Sequence, residues 1–420
     1  MPELPEYLQD LNPEQLAAVR HEGGNLLILA GAGSGKTRVI TTKIAWLVRE
    51  RGVAPESVLA VTFTNKAARE MRDRAAAIDP ECARAYLRTF HSFGAWFLRR
   101  NAAAAGLDPN FTIYDDDDST TLLHGTTPDL TRAECGRLAS RIARAKDYGL
   151  APDAPDLEAR FPDRNFRRLY AGYEKRLRET GNVDFGDLIL LPARVLRDDE
   201  AIRNRFHQRF RVILVDEYQD SNVAQFELLK VLAGGGAYVC VVGDDDQSIY
   251  RFRGAEVRNI LEFPEVFPGT EIVRLERNYR SFQSILDVAG AVVARNEGRL
   301  GKTLKAVKAG GPKAKLALLA DQDEEAAYAS RVAEARAART GRWSDTAVLY
   351  RTNAQSLAFE HLFNKRGIPY RIVGSVRFYE REEVKDALAY LAVLSNPRDE
   401  VNFRRVVNKP SRGVGDTSVQ

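Results

Sequence analysis

The residues whose types and spacing most clearly imply chemistry lie in Ala30-Gly-Ala-Gly-Ser-Gly-Lys-Thr37, between the apolar run Leu26 to Leu29 and the helix-like stretch Arg38 to Val48. A buried strand, a glycine turn and a helix start make a triphosphate cradle, because backbone N–H groups converge on phosphate oxygens at a helix N-terminus. Gly33 and Gly35, beside Ala32 and Ser34, leave the backbone free to approach a nucleotide, although Ala30 stands at the first position of the usual G-x-x-x-x-G-K-[ST] pattern. Lys36 is expected to reach the β- and γ-phosphates of ATP, and Thr37 to hold Mg²⁺. Val215-Asp-Glu-Tyr-Gln-Asp220 then supplies two adjacent acids after an apolar run. That order assigns the metal to Asp216 and the water-activating base to Glu217.

A third polar segment, Gly243-Asp-Asp-Asp-Gln-Ser-Ile-Tyr-Arg-Phe-Arg-Gly254, mixes Tyr250 and Phe252 with Arg251 and Arg253. Alternating aromatics and arginines suit stacking on bases and gripping phosphates, so this segment is a candidate for touching both ATP and DNA. Core aromatics beside a solvated arginine face fit the same residues.

The elements that must position these groups are apolar runs at Val58 to Thr62, Arg211 to Val215 and Tyr238 to Val242, which alternate with helical stretches. That pattern predicts a parallel sheet covered on both faces, with function at the strands' C-terminal ends. Asp216 follows Lys36 by about 180 residues, more than one doubly wound domain needs. The interval from 86 to 177, rich in Arg and Ala and helical over Cys135 to Tyr148 and Phe166 to Thr180, reads as an inserted helical subdomain. Asp115 to Asp118 is expected to cap the helix that follows. After Arg280 a second α/β unit is expected, with strands at Lys315 to Leu319 and Thr346 to Tyr350. Glu382 to Leu394 reads as a helix broken by Asn396-Pro397.

A length of 420 residues with 44% hydrophobic content supports several cores. A net charge of only +4 means that any nucleic-acid surface is local. Cys82, Cys135 and Cys240 are too scattered for a disulfide framework or zinc site and suit a reducing cytoplasm. No stretch is long and apolar enough to predict a membrane span.

In order along the chain, these motifs resemble the superfamily-one DNA helicases of the UvrD/Rep/PcrA type. The resemblance implies P-loop, RecA-like parallel-sheet motor domains with inserted helical subdomains. It divides the chain into a first ATPase domain (1–85 with 178–275), an inserted subdomain (86–177), the N-terminal part of a second RecA-like domain (276–378) and the start of a second insertion (379–420). Leu11-Asn-Pro-Glu-Gln15 is similar to the family's adenine-reading motif, which assigns base contact to Gln15. Arg38 and Tyr279, in Arg277-Asn-Tyr-Arg-Ser281, resemble the pair that sandwiches adenine. Arg280 matches the arginine reaching the γ-phosphate from the second motor domain, and Gln247 the γ-phosphate sensor. Val61 to Met71 and Thr89 to Phe93 resemble the single-strand channel motifs, which implies DNA contacts by Thr62, Phe63, Asn65 and His91. Val348 to Ser356 is similar to the second domain's gripping segment and makes Arg351 a backbone contact.

The implied protein is an ATP- and Mg²⁺-dependent motor on single-stranded DNA and its junctions with duplex. It moves 3′ to 5′, in the cytoplasm at the nucleoid, and works with repair or replication proteins and no membrane. Phe252 stands where relatives usually carry tryptophan, which keeps a stacking face of smaller area. Two family motifs expected after the second insertion do not occur before Gln420. The alternative is therefore a truncated module that binds ATP and DNA without helicase activity.

Overall fold

The computed structural model describes residues 4–250, 254–296, 299–373 and 381–414. Its organising element is a six-stranded, all-parallel sheet: β1 (Leu26–Ala30), β2 (Val58–Thr62), β3 (Tyr86–Thr89), β4 (Val212–Val215), β5 (Tyr238–Gly243) and β6 (Glu271–Leu275). The strands lie side by side in the order β3-β2-β4-β5-β1-β6. Alternate residues of the central strands feed two separate cores. Leu27, Leu29, Leu59, Val61, Ile213, Val215, Val239 and Val241 enter one, with Phe93, Phe97, Leu188 and Leu228 of covering helices. Leu26, Ile28, Val58, Ala60, Leu214, Cys240 and Val242 enter the other, with Val39, Ile40, Ile44 and Met71. The period of two in a strand sends neighbours to opposite faces, so burial on both faces requires the continuous apolar runs found in the sequence.

Tyr86–Thr89, placed within the expected insertion, is an edge strand of this sheet, paired in register from Leu59↔Tyr86 to Thr62↔Thr89. Beyond it, a third core is built from Tyr114, Leu122, Cys135, Leu138, Ile142, Phe166, Tyr170, Tyr173 and Leu177. Asp115 caps the helix Asp116–Thr126, accepting from the backbone N–H groups of Asp117 and Asp118. Lys146, wholly buried at the end of helix Arg132–Asp147, is neutralised by Asp184 at 2.6 Å, Asp187 at 2.7 Å and Glu174 at 2.5 Å. All three cysteines are buried and free.

β6 runs almost directly into β7 (Arg277–Phe282), which pairs in parallel with β8 (Lys305–Lys308). By contact the chain divides into residues 1–312 with 388–420, and residues 313–387. The second unit has its own small core of Ala326, Phe359, Phe363 and Ile368. The strands expected at Lys315 to Leu319 and Thr346 to Tyr350 do not form: neither stretch has a strand partner among the described residues, and Leu316, Leu318 and Leu349 stand exposed. The helix expected from Glu382 is present as Glu382–Ser395.

Candidate active site

The glycine loop connects β1 to the helix Lys36–Arg49, whose N-cap, Gly35, supplies no side-chain hydrogen bond to the first turn. The helix therefore presents uncapped N–H groups, the arrangement that binds anions. Gly33 and Gly35 adopt φ of +67° and +92°. A Cβ on Gly33 would meet the Arg280 Cβ at 2.6 Å, and one on Gly35 the Gln15 Nε2 at 2.7 Å. Glycine is thus required here both for backbone conformation and for close approach. Gln15 is buried and both ends of its amide are engaged: Nε2 donates to the Ser34 carbonyl at 2.8 Å, and Oε1 accepts from the Asn12 N–H at 3.2 Å. In this conformation one N–H and the oxygen brace the loop and the turn before the helix. Tyr279 lies close by, its hydroxyl accepting from Asn12 Nδ2 at 2.8 Å. Arg38 is half exposed and pairs with Asp10 at 3.6 Å.

Asp216 and Glu217 follow the C-terminal end of β4. Lys36 Nζ donates to Glu217 Oε2 at 2.8 Å, which joins the loop to the acids without an intervening group. Glu217 is the one non-glycine residue at positive φ, +49°, among the described residues. This strained turn aims its carboxylate back at Lys36. Burial pushes the Glu217 carboxyl upward, but Lys36, Gln219 and Arg280 outweigh it and hold the group below its ordinary value, ionised. Asp216 is pushed up to about 7 by burial and by the charge of Glu217, against the pull of Lys36. The Asp216 carboxylate, buried after β4, and the Thr37 hydroxyl, in the first turn of the loop's helix, are hard oxygen donors of the kind Mg²⁺ takes, so their chemistry suits that ion. By contrast, the two described carboxylate clusters compact enough to hold an ion, Glu174/Asp184/Asp187 and Asp244/Asp245/Asp246, each already enclose a lysine.

Gln219 links the acids to the end of β5. Its Nε2 donates to Glu217 Oε2 at 2.8 Å and its Oε1 accepts from the Asp244 N–H at 2.9 Å. Gln247 Nε2 donates to Asp244 Oδ2. From β7, the Tyr279 N–H donates to the Gly33 carbonyl at 2.9 Å and Asn278 Nδ2 to the Ala32 carbonyl at 2.5 Å, so Arg280 is tied to the loop by its neighbours.

The strand-contact candidates divide. Phe63, just past β2, stacks on Tyr250 with centroids 5.2 Å apart and planes 26° from parallel. Thr62 is buried, its hydroxyl oxygen without a partner. Asn65 opens the helix Asn65–Ile78, capped by Thr64. His91 meets the exposed Phe185 edge-on at 5.9 Å, and burial lowers its imidazole below the ordinary value. Arg351 belongs to the second unit, where its N–H donates to Gln355 Oε1 at 2.9 Å. Phe252 and Arg253 lie outside the described residues. A cavity of about 1170 Å³ is lined by residues such as Tyr148, Arg178, Arg194 and Glu227 and shares none with the loop or the acids.

Two family models account for most of the chain: the UvrD/REP helicase N-terminal domain over residues 11–268 and the UvrD-like helicase C-terminal domain over residues 273–420. The chain belongs to the UvrD/REP helicase family. It is 44% identical to the ATP-dependent DNA helicase UvrD1 of Mycobacterium tuberculosis over 98% of this chain and 56% of that protein. It is 40% identical to the ATP-dependent DNA helicase PcrA of Staphylococcus epidermidis over 98% of this chain and 58% of that protein, and equally to PcrA of Bacillus subtilis over 99% and 57%. The chain thus spans a little over half the length of the curated relatives it matches.

Several residues of this UvrD/REP site escape sequence reading. Asn278 and Gln219 lie inside quoted motifs but act only through contacts that folding creates. Lys43, wholly buried, donates to the carbonyls of Ala18 at 3.0 Å, Val19 at 3.3 Å and His21 at 3.1 Å, and so fixes the end of the helix that carries Gln15. Lys302 lies nearly sixty residues from its partners in the acidic triad. No local pattern marks either lysine.

Proposed function

We propose that this chain is the nucleotide-hydrolysing, DNA-gripping part of an ATP-dependent DNA helicase that moves 3′ to 5′ on single-stranded DNA and unwinds its junctions with duplex. The observation that carries the reading is the Lys36–Glu217 contact in front of an uncapped helix N-terminus. Phosphate entering the loop competes with Glu217 for Lys36. As the ammonium turns to the phosphate, Glu217 loses the neighbour that depresses its proton affinity and becomes a stronger base beside the attacking water. Thr37 and Asp216 would hold Mg²⁺, which supplies neutralising charge to the β- and γ-phosphate oxygens. Arg280 and Gln247, both connected to the loop or the acids, are placed to meet charge developing on the γ-phosphate. Arg38 and Tyr279, with Gln15 once its amide is released, form the adenine seat.

On the DNA side, Phe63 and Tyr250 offer each other's ring faces where an unpaired base would stack, Thr62, Asn65, His91, Phe252 and Arg253 are further strand contacts, and Arg351 is a separate contact carried by the second unit. Such binding is tolerant of sequence and weakened by salt. A first ATPase domain that includes the edge strand Tyr86–Thr89, an inserted helical subdomain beyond it, the N-terminal part of a second RecA-like domain with the start of a second insertion, a cytoplasmic, nucleoid-associated setting and partners in repair or replication complete the proposal.

The test is ATP hydrolysis with and without single-stranded DNA. Lys36→Ala should lose turnover. Glu217→Gln should bind ATP within about threefold of the parent yet turn over at least ~10²-fold more slowly, the scale of a lost general base. Unchanged hydrolysis by Glu217→Gln would remove the base from the mechanism. Binding of ATP and DNA without turnover in the parent chain would mark it as a binding module.

A further inference from the structure

The segment Arg299 to Leu304 passes over both the glycine loop and the end of β5. Leu304 sits against Gly31, where an added Cβ would meet its Cδ2 at 2.2 Å. Upstream, Arg299 clamps Asp246 through Nε at 2.6 Å and a terminal nitrogen at 2.8 Å, and the Leu300 N–H donates to Asp245 Oδ2 at 2.9 Å. At the centre, the Lys302 ammonium, with a side chain 1% exposed, contacts Asp244 at 2.7 Å, Asp246 at 2.8 Å and Asp245.

We propose that Lys302 is a positioning residue for the γ-phosphate sensor: it fixes the Asp244 carboxylate that in turn orients the Gln247 amide. The inference rests on the nucleotide reading above and deepens it. Asp244 Oδ1 faces Lys302 while Oδ2 accepts from Gln247 Nε2. An ionised carboxylate only accepts, so it takes the nitrogen side of the amide. With one N–H fixed there, the second N–H and the carbonyl oxygen of Gln247 have set directions. The Asp244 N–H meanwhile donates to Gln219, which holds Glu217. Lys302 is therefore two contacts from the sensor and three from the proposed base. Burial alone would lower its ammonium, but the carboxylates outweigh this and hold it above its ordinary value, charged. Without it, three adjacent acids share one arginine. Asp244 must then take up a proton or turn away, and the amide is free to flip.

The test compares binding of fluorescently labelled ADP and of a non-hydrolysable ATP analogue, each with Mg²⁺. Lys302→Met should lose about tenfold or more of the preference for the triphosphate, the scale of one charge-assisted hydrogen bond, while ADP affinity stays within about threefold. Lys302→Arg should restore most of the preference. Because Lys302→Met leaves excess buried negative charge, Lys302→Met/Asp245→Asn is measured beside it. This variant keeps Arg299 on Asp246 and lowers the unpaired charge, yet still leaves Asp244 without its ammonium. A folded double variant with the parent preference overturns the proposal and leaves Lys302 a clamp for the segment. A parent protein that binds neither nucleotide overturns the nucleotide reading itself, and the inference with it.

Discussion

Asp147 ends the helix Arg132–Asp147 of the inserted helices and accepts from Asn222 Nδ2 at 2.7 Å, just past the proposed catalytic acids. Burial pushes its carboxyl from 3.8 to about 7, against the lowering effect of the Asn222 hydrogen bond. The folded protein therefore binds a proton at Asp147 that the unfolded chain has released. The stabilisation is fully present below pH ~4 and is lost as pH rises to ~7. At about 1.4 kcal/mol per pH unit, the part lost between pH 5 and 8 is about 3 kcal/mol, an upper bound for a group that retains some contact with solvent. Asp147→Asn keeps an acceptor for Asn222 and has no charge to bury. Relative to the parent it should gain about 1–3 kcal/mol on moving from pH 5 to pH 8. Urea unfolding followed by the fluorescence of Trp46 and Trp96, at both pH values, measures this gain. An equal parent-to-variant difference at the two pH values would refute the argument that burial keeps Asp147 protonated above the ordinary carboxyl range.

Gly94 packs its helix onto the Leu188 carbonyl, where a Cβ would lie 1.6 Å from the oxygen. Gly94→Ala should therefore cost about 1–3 kcal/mol of stability, seen as a lowered Tm, because the two helices must part. Phe63→Ala removes one face of the stack with Tyr250 and should weaken single-strand DNA binding by about 1–3 kcal/mol, with ADP affinity unchanged, as titrations of the two ligands would show.

The glycine loop, β1, β2, β4 and β5 are legible in the sequence because strands buried on both faces must be apolar at every position. β3 is not: Tyr86-Leu-Arg-Thr89 is an edge strand that buries alternate residues, a pattern too short to separate from a helix edge. The expected strands around Leu316 and Leu349 show the converse, since apolar alternation makes a strand only where a neighbour pairs with it. In the site, Lys36, Asp216 and Glu217 carry local signatures. Their meeting, with Lys36 and Glu217 181 positions apart, depends on β4 and β5 lying between β2 and β1 in the sheet. Gln15 shows a limit of another kind: its position is legible, whereas the bonds that its amide makes to Asn12 and Ser34 are a property of the folded conformation.

The direct passage of β6 into β7 has a kinetic consequence. Arg280 lies five residues beyond the last residue of β6, and the Asn278 side chain and Tyr279 N–H hold the intervening chain on the Ala32 and Gly33 carbonyls. The arginine is thus delivered to the loop by chain connectivity, at an effective concentration that a group arriving by diffusion would not match. Its encounter with a bound phosphate should proceed at a rate independent of protein concentration.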